Sequence, residues 1–360
     1  MTEASVIFEE HPGHNGWVLG VARLNAAQSM NALTLDMIRE LQPQLERWAE
    51  DERIAAVWLE GAGEKALCAG GDIVALYRSM TESAQPGSVK SEGEQFFDEE
   101  YRLDYLIHTY PKPVVVWGNG IVMGGGLGLM VGGSHRVVTE YSKLAMPEVG
   151  IGLYPDVGAG WFLNRMPGRT GLFLGLTGVR MNAADALFVG LADRFIPQEQ
   201  RANVQSALLV KDLRHNPDAG VSQVLRRFER GGEALKPTSP VRNHFDVIQT
   251  LTDGDSLPEV VKNLADYAGD DEWLVKALKT VEKASPTSLY LHWRHYHRSA
   301  HLGLAEVFDQ ELQMSRRCLV MGEFAEGVRA LLIDKDLKPR WRFPGLEQVD
   351  PKWVDEFFTG

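Results

Sequence analysis

Residues 113–133 read PVVVWGNGIVMGGGLGLMVGG, and the fold follows from how that stretch is punctuated. It opens with an apolar run, 113–117, rich in β-branched residues, which is too short for a helix and suits a strand buried on both faces. Gly118, Asn119 and Gly120 then make a turn, and the cluster Gly124 to Gly126 opens a helical segment. The same order occurs upstream, where the apolar strand IAAVWLEG (54–61) leads to the glycine turn CAGGDI (68–73) and the helical pattern IVALYRSM (73–80). Downstream, HRVVTE (135–140) supplies another short strand. This alternation predicts an α/β domain with glycine turns at strand ends, where ligands bind in such folds.

Working outward, SVIFEEHPGHNGWVLGVARLN (5–25) reads as two strands joined by a turn at Asn15 and Gly16. A helix is predicted over Ala32 to Glu50, with Leu33, Met37, Leu41, Leu45 and Trp48 at helical spacing, Thr34 as a cap and a kink at Pro43. From about residue 200 the chain becomes helical and more charged, and the turn formers of 230–257 separate helices in that region. No internal repeat is evident.

The 360 residues are 44% hydrophobic and 24% charged, enough for a sizeable core and against wholesale disorder. Glycine interrupts every long apolar stretch, which argues against a membrane span. A net charge of −12 disfavours nucleic acid and anionic membranes as partners, so a polyanionic ligand needs a local grip. Two cysteines, Cys68 and Cys318, are too few for a disulfide scaffold and lack metal-ligand spacing; a reducing, cytoplasmic setting is expected. The opening MTEASVIFEE has neither the basic and apolar segments of a secretory signal nor the arginines of a transit peptide.

The chemistry concentrates in MPEVGIGLYPDVGAG (146–160), which sets two carboxylates, Glu148 and Asp156, among apolar residues and glycine. A buried acid is costly unless it is hydrogen-bonded or used as a base. CAGGDI and MGGGLG (123–128) add what a base lacks, backbone N–H groups that can face a developing negative charge. Together they suggest an enzyme that polarises a carbonyl and moves a proton or water against it. No GK[ST] follows either cluster, which excludes a P-loop, and the dinucleotide fingerprint is incomplete. In HWRHYHRSAH, His292, His295, His297 and His301 could pair as metal ligands on one helix face, but no acidic or cysteine ligand follows and a packed helix is the simpler reading. Cys68 reads as a packing residue beside the ligand loop rather than a nucleophile, since no histidine partner is evident.

CAGGDI, GNGIVMGGGLGL, AMPEVGIGLYPDVGAGWFL and EFAEGVRALLIDKDLKPRW occur in that order, and together they resemble the crotonase (enoyl-CoA hydratase/isomerase) superfamily. Within it the pattern is similar to the group of 3-hydroxyisobutyryl-CoA hydrolases. The resemblance is densest over 55–200 and 285–343 and thin between 200 and 285. It implies a crotonase-like α/β core of repeated ββα units over 1–200, carrying the coenzyme A thioester site, and a mainly helical region over 201–360. It further implies that Gly71 and Gly125 offer the two backbone donors to the thioester oxygen, with Ala69, Gly70 and Gly124 against the substrate and Ala69 near the adenine.

The departures from the family pattern matter as much. Hydratases carry a glutamate where this chain has Gly128, while Glu148 keeps the second hydratase glutamate and Asp156 stands where hydratases have glycine, as in the hydrolase group. Glu148 would activate water or attack the thioester to form a mixed anhydride, and the sequence leaves both open. Asp156 would orient Glu148, the water or a substrate hydroxyl; the alternative is that it caps the turn after Tyr154 and Pro155. Glu100 matches a position near the substrate, with a helix-surface carboxylate as the alternative. Ala26, Ala27 and Gln28 replace a segment that is often basic in the family, which leaves Lys335 and Lys338 as candidates for the coenzyme A phosphates.

The expected reaction is hydrolysis of a short 3-hydroxyacyl-CoA, 3-hydroxyisobutyryl-CoA of valine breakdown first, with no metal or redox cofactor. The acyl-CoA substrate is the expected partner, and self-association into a homo-oligomer is left open. Enoyl-CoA hydration or isomerisation is the alternative within enzymes, and a non-catalytic coenzyme A-binding protein is the alternative outside them.

Overall fold

Among the described residues, nine strands carry the sheet structure: β1 (Val6–Pro12), β2 (Val18–Leu24), β3 (Ile54–Gly61), β4 (Ala66–Cys68), β5 (Val114–Gly118), β6 (Ile121–Met123), β7 (His135–Val138), β8 (Lys143–Ala145) and β9 (Arg194–Phe195). The computed structural model describes residues 4–82 and 91–359. β1 and β2 form the expected antiparallel pair, Val6 opposite Leu24 and Pro12 opposite Val18. β3, β5, β7 and β9 extend it in parallel, giving the order β1-β2-β3-β5-β7-β9. A separate sheet has the order β4-β6-β8.

The sequence reading finds the long strands and misses β4, β6, β8 and β9, which have two or three residues each. Such short pieces have no period to detect; pairing with neighbours makes them strands. The turn expected after β5 ends sooner than the sequence suggested. Gly120 lies at φ +67°, where a Cβ would meet the Lys65 carbonyl oxygen at 2.1 Å, and the Ile121 N–H donates to that oxygen at 2.9 Å as β6 begins.

The chain divides into two units. The first takes Met1–Gly71, Arg102–Leu144 and Met181–Ser239; the second takes Asp72–Tyr101, Ala145–Arg180 and Pro240–Gly360. In the first, the buried face of the larger sheet joins Leu19, Val21, Trp58, Val115, Trp117 and Val137 to Val204, Leu208, Val221 and Leu225 of the helices Arg201–Val210 and Pro217–Glu229. Trp58 and Trp117 stack with centroids 5.2 Å apart. Their N–H groups donate to Glu60 at 2.9 Å and Gln198 at 2.7 Å, so neither buried indole lacks an acceptor.

Helix Leu35–Glu50 runs through Pro43, and Thr34 caps it by accepting from the Met37 N–H at 3.2 Å. An interior proline costs about 3 kcal/mol. Met37, Ile38, Leu41, Leu45 and Trp48 are all buried, at about 1.5–3 kcal/mol for each such side chain, so packing outweighs the proline.

The second unit is mainly helical, and beyond residue 200 the described residues contain helices and no strand, as expected. The turn-rich segment 230–257 holds the short helices Pro240–Asn243 and Phe245–Leu251. No helix among the described residues is long and apolar enough to cross a membrane.

Candidate active site

The residues singled out in the sequence fall into two groups, one in each unit. In the first unit, Ala69, Gly70 and Gly71 follow β4 directly. The Ala69 N–H donates to the Met30 carbonyl at 3.1 Å, and the Gly70 carbonyl accepts from the Leu33 N–H at 2.8 Å. The second loop of this unit turns at Gly124 (φ 50°, ψ −125°), a conformation that suits glycine, and leads into helix Gly125–Val131. Gly125 is the first residue of that helix, so its N–H belongs to the turn that has no acceptor within the helix. The two loops touch: a Cβ at Gly126 would meet the Cys68 carbonyl oxygen at 2.2 Å. Cys68 itself is buried, its sulfur 3.6 Å from the Gly70 carbonyl oxygen, as a packing residue would be.

In the second unit, Glu148 opens a tight turn, Glu148–Ile151, closed by Gly152 at φ 76°. A Cβ at Gly152 would meet the Glu323 carbonyl oxygen at 2.3 Å, and the Val149 carbonyl accepts from the Ser285 N–H at 3.0 Å. The loop is thus fixed from outside, and Glu148 is held in the interior at 5% exposure. One of its carboxyl oxygens, Oε2, has no hydrogen-bond partner among the described residues. Asp156 is 4% exposed and accepts from the Tyr101 hydroxyl at 2.6 Å. The Asp156 carbonyl also accepts from the Ala159 N–H at 2.9 Å, so the backbone turn read from the sequence exists alongside the buried side chain.

Both acids are pushed toward their neutral forms. Burial, and after it the charge of Asp156, raises Glu148 well above the usual carboxylate range. Burial raises Asp156 from 3.8 to about 7, with the Tyr101 hydrogen bond pulling it part of the way back and the charge of Glu311 adding to the rise. The proton therefore stays on Glu148, whose Oε2 lacks a donor, while the negative charge settles on Asp156, which has one. A buried acid with an unfilled oxygen beside a charged, hydrogen-bonded one can hold, release and take up a proton on a bound polar group.

Glu100 is buried at 2% exposure on helix Glu92–His108, next to Tyr101, and so is not a surface carboxylate. Lys335 and Lys338 are exposed. The four histidines separate: His292 and His295 are buried, while His297 and His301 face solvent. His292 Nε2 lies 3.3 Å from the Leu172 carbonyl oxygen, and burial lowers its pKa to about 3. Both ring nitrogens of His295 are engaged by protein groups, Nε2 with Glu311 at 2.8 Å and Nδ1 with Gln310 at 2.7 Å and Ser299 at 3.1 Å.

Sequence reasoning missed Tyr101, Glu311 and Ser315. Glu311 is fully buried on helix Leu304–Met321, and a signal for it was present: Val307, Phe308, Met314, Ser315 and Cys318 share its face at helical spacing, so an acid sits in the middle of a core stripe.

The mixed, mainly parallel sheet, the paired glycine loops and the acid-bearing loop define an α/β protein of the crotonase class. Residues 19–358 match the enoyl-CoA hydratase/isomerase family, and the chain belongs to that family. It is 42% identical over 342 residues to a protein of Danio rerio named 3-hydroxyisobutyryl-CoA hydrolase, mitochondrial, covering 94% of this chain and 87% of that one. The Homo sapiens protein of the same name is 37% identical over 340 residues, with 94% and 86% covered. Among solved structures, a carnitinyl-CoA dehydratase from Mycobacterium thermoresistibile matches with a TM-score of 0.86 at 34% identity, covering 99% of this chain and 96% of its own. An enoyl-CoA hydratase from Rhodobacter sphaeroides 2.4.1 matches with a TM-score of 0.82 at 34% identity, covering 98% and 97%. The family and fold read from the sequence motifs are thereby confirmed.

Proposed function

We propose that this chain hydrolyses a short 3-hydroxyacyl-CoA thioester, with 3-hydroxyisobutyryl-CoA, an intermediate of valine degradation, as the first substrate to test. The observation that carries the reading is the pair of buried carboxyls Glu148 and Asp156, combined with Gly128 where hydratases of the family have a glutamate. Water adds to the thioester carbonyl, the C–S bond breaks, and the free acid and coenzyme A leave. The Gly71 and Gly125 N–H groups are assigned to the thioester oxygen, whose charge grows in the transition state more than in the substrate. Ala69, Gly70 and Gly124 are assigned to contacts with the substrate, and Glu100 to its surroundings. Glu148, once ionised, removes a proton from water or attacks the carbonyl itself. Asp156, fixed by Tyr101, orients the water or the substrate hydroxyl.

A second reading, enoyl-CoA hydration, is supported by the names of the two solved structures above and opposed by Gly128, which offers no side chain to move a proton. One enzyme sample separates the two readings. A thiol reagent follows coenzyme A release from 3-hydroxyisobutyryl-CoA, and loss of enoyl absorbance follows hydration of crotonyl-CoA. Thiol release is expected to be the faster reaction and to be insensitive to a chelator, since only carboxyls and backbone amides are used. Hydration outrunning hydrolysis for every acyl chain tried would overturn the hydrolase reading, and activity that needs zinc would overturn the mechanism.

A further inference from the structure

Asp156 is followed by a backbone that does not hold its own shape. Val157 has φ 54° and Gly158 φ 87°, two consecutive residues in the left-handed region. For a β-branched residue that conformation is a genuine outlier, and it persists only where surrounding structure imposes it. The carboxylate of Glu311 grips the backbone on the far side of this turn. Its Oε2 accepts the Gly158 N–H at 2.6 Å and its Oε1 accepts the Gly160 N–H at 3.0 Å. The carboxylate is wholly buried and is itself held by His295. With the Gln310 amide donating to Nδ1, the remaining ring proton of His295 is on Nε2 and points at Glu311. The fit leaves no slack, since a Cβ at Gly160 would meet His295 Nε2 at 2.5 Å.

One turn further along the same helix, Ser315 lies 2.6 Å from the Tyr101 hydroxyl, which donates to Asp156. Ser315 also lies 2.9 Å from the Tyr154 hydroxyl, which donates to the Glu311 carbonyl at 2.8 Å. Helix Leu304–Met321 therefore holds Asp156 at both ends, by its backbone through Glu311 and by its carboxylate through Ser315 and Tyr101.

We propose that Glu311, locked by His295, is a positioning residue for the hydrolysis: it forces the Val157–Gly158 turn and so aims the Asp156 carboxylate. This rests on the hydrolase reading above. The titratable groups around Asp156 are Glu148, Glu311, Tyr101, Tyr154 and Cys318, and of these Glu311 is the one that both contacts the turn and adds to the rise of Asp156.

The test is Glu311→Gln in the full chain. The amide puts an N–H₂ where one glycine N–H now finds an acceptor, so that end of the turn is released. Three results are expected in the folded variant. The kcat for thiol release falls by about 10- to 100-fold with KM nearly unchanged, the range for a catalytic group displaced by an ångström or less. The infrared carboxyl band of Asp156, identified by its loss in Asp156→Asn, changes frequency as its hydrogen bonding loosens. Its titration midpoint moves to lower pH, because a charge that opposes ionisation has gone. His295→Gln, which still offers an N–H to Glu311, is expected to lose less kcat than His295→Leu. A folded Glu311→Gln protein with wild-type kcat and an unmoved Asp156 band overturns the proposal. So does failure of both Glu311→Gln and His295→Gln to fold, because the pair is then structural only. If the wild type releases no thiol while the band still changes in Glu311→Gln, the hydrolase reading has failed and the positioning stands.

Discussion

Replacing Asp156 by asparagine should make the protein more stable at pH 8 and less active, and the size of the gain follows from its surroundings. The carboxyl is buried and its pKa lies near 7 against an ordinary 3.8. Between about pH 4 and pH 7 the unfolded chain therefore releases a proton that the folded chain keeps, so the folded state loses stability as the pH rises through that window. The shift of about three units, at about 1.36 kcal/mol each, amounts to a loss of up to about 4 kcal/mol by pH 8. Asparagine has nearly the same shape, cannot ionise and keeps an oxygen for the Tyr101 hydroxyl, so Asp156→Asn avoids this penalty. Urea unfolding followed by tryptophan fluorescence at both pH values measures the difference. Variant and wild type should match near pH 4, and the variant should lead by up to about 4 kcal/mol near pH 8, the opposite sign to the roughly 1 kcal/mol that most substitutions cost. A difference that is flat with pH, or that favours the wild type at pH 8, would refute the argument that this carboxylate is held against its own solvation.

Two further outcomes test the acid pair. Glu148→Gln keeps the shape of the side chain and removes the proton acceptor, so kcat for thiol release should fall by at least about a hundredfold with KM much less affected; near-normal turnover in a folded variant would remove Glu148 from the mechanism. Because burial and the charge of Asp156 keep the proton on Glu148, its working form grows as pH rises, and kcat/KM should climb as the pH is raised above the usual carboxylate range. A rate that is flat or falling as the pH is raised would show that the ionised form of Glu148 is not the one that reacts.

Much of this was legible in the residues because the strongest signals are local. The run Val114 to Trp117 is short, apolar and rich in β-branched residues, which suits a buried strand, and Glu148 and Asp156 stand out because their neighbours are apolar. The smaller sheet was not legible, since β4, β6 and β8 are defined by partners far along the chain rather than by any pattern of their own. Glu311 was hidden differently. Its helix also carries Glu306 and Asp309, so an acid there reads as a solvated face until the spacing of Val307, Phe308, Met314 and Cys318 is followed around the helix. Tyr101 was masked by its own type, an aromatic among aromatics and acids in FFDEEYRLDY, with nothing in the sequence to say that its hydroxyl is used.

The bond from Gly158 to Glu311 spans 153 residues, and that separation sets a schedule for synthesis. All strands of the larger sheet have left the ribosome once Phe195 has emerged, and Asp156 has emerged before the last of them. The carboxylate that bends its backbone is still to be translated. At about 5–20 residues per second, Glu311 follows Gly158 by roughly 8 to 30 seconds. From Phe195 onward in that interval the nascent chain has the whole larger sheet and both carboxyls, yet lacks the helix that forces Val157 out of its preferred conformation. Assembly of the acid pair is thus among the last events in the making of this molecule, and a chain stopped short of Leu304 would carry Glu148 and Asp156 without the support that aims them.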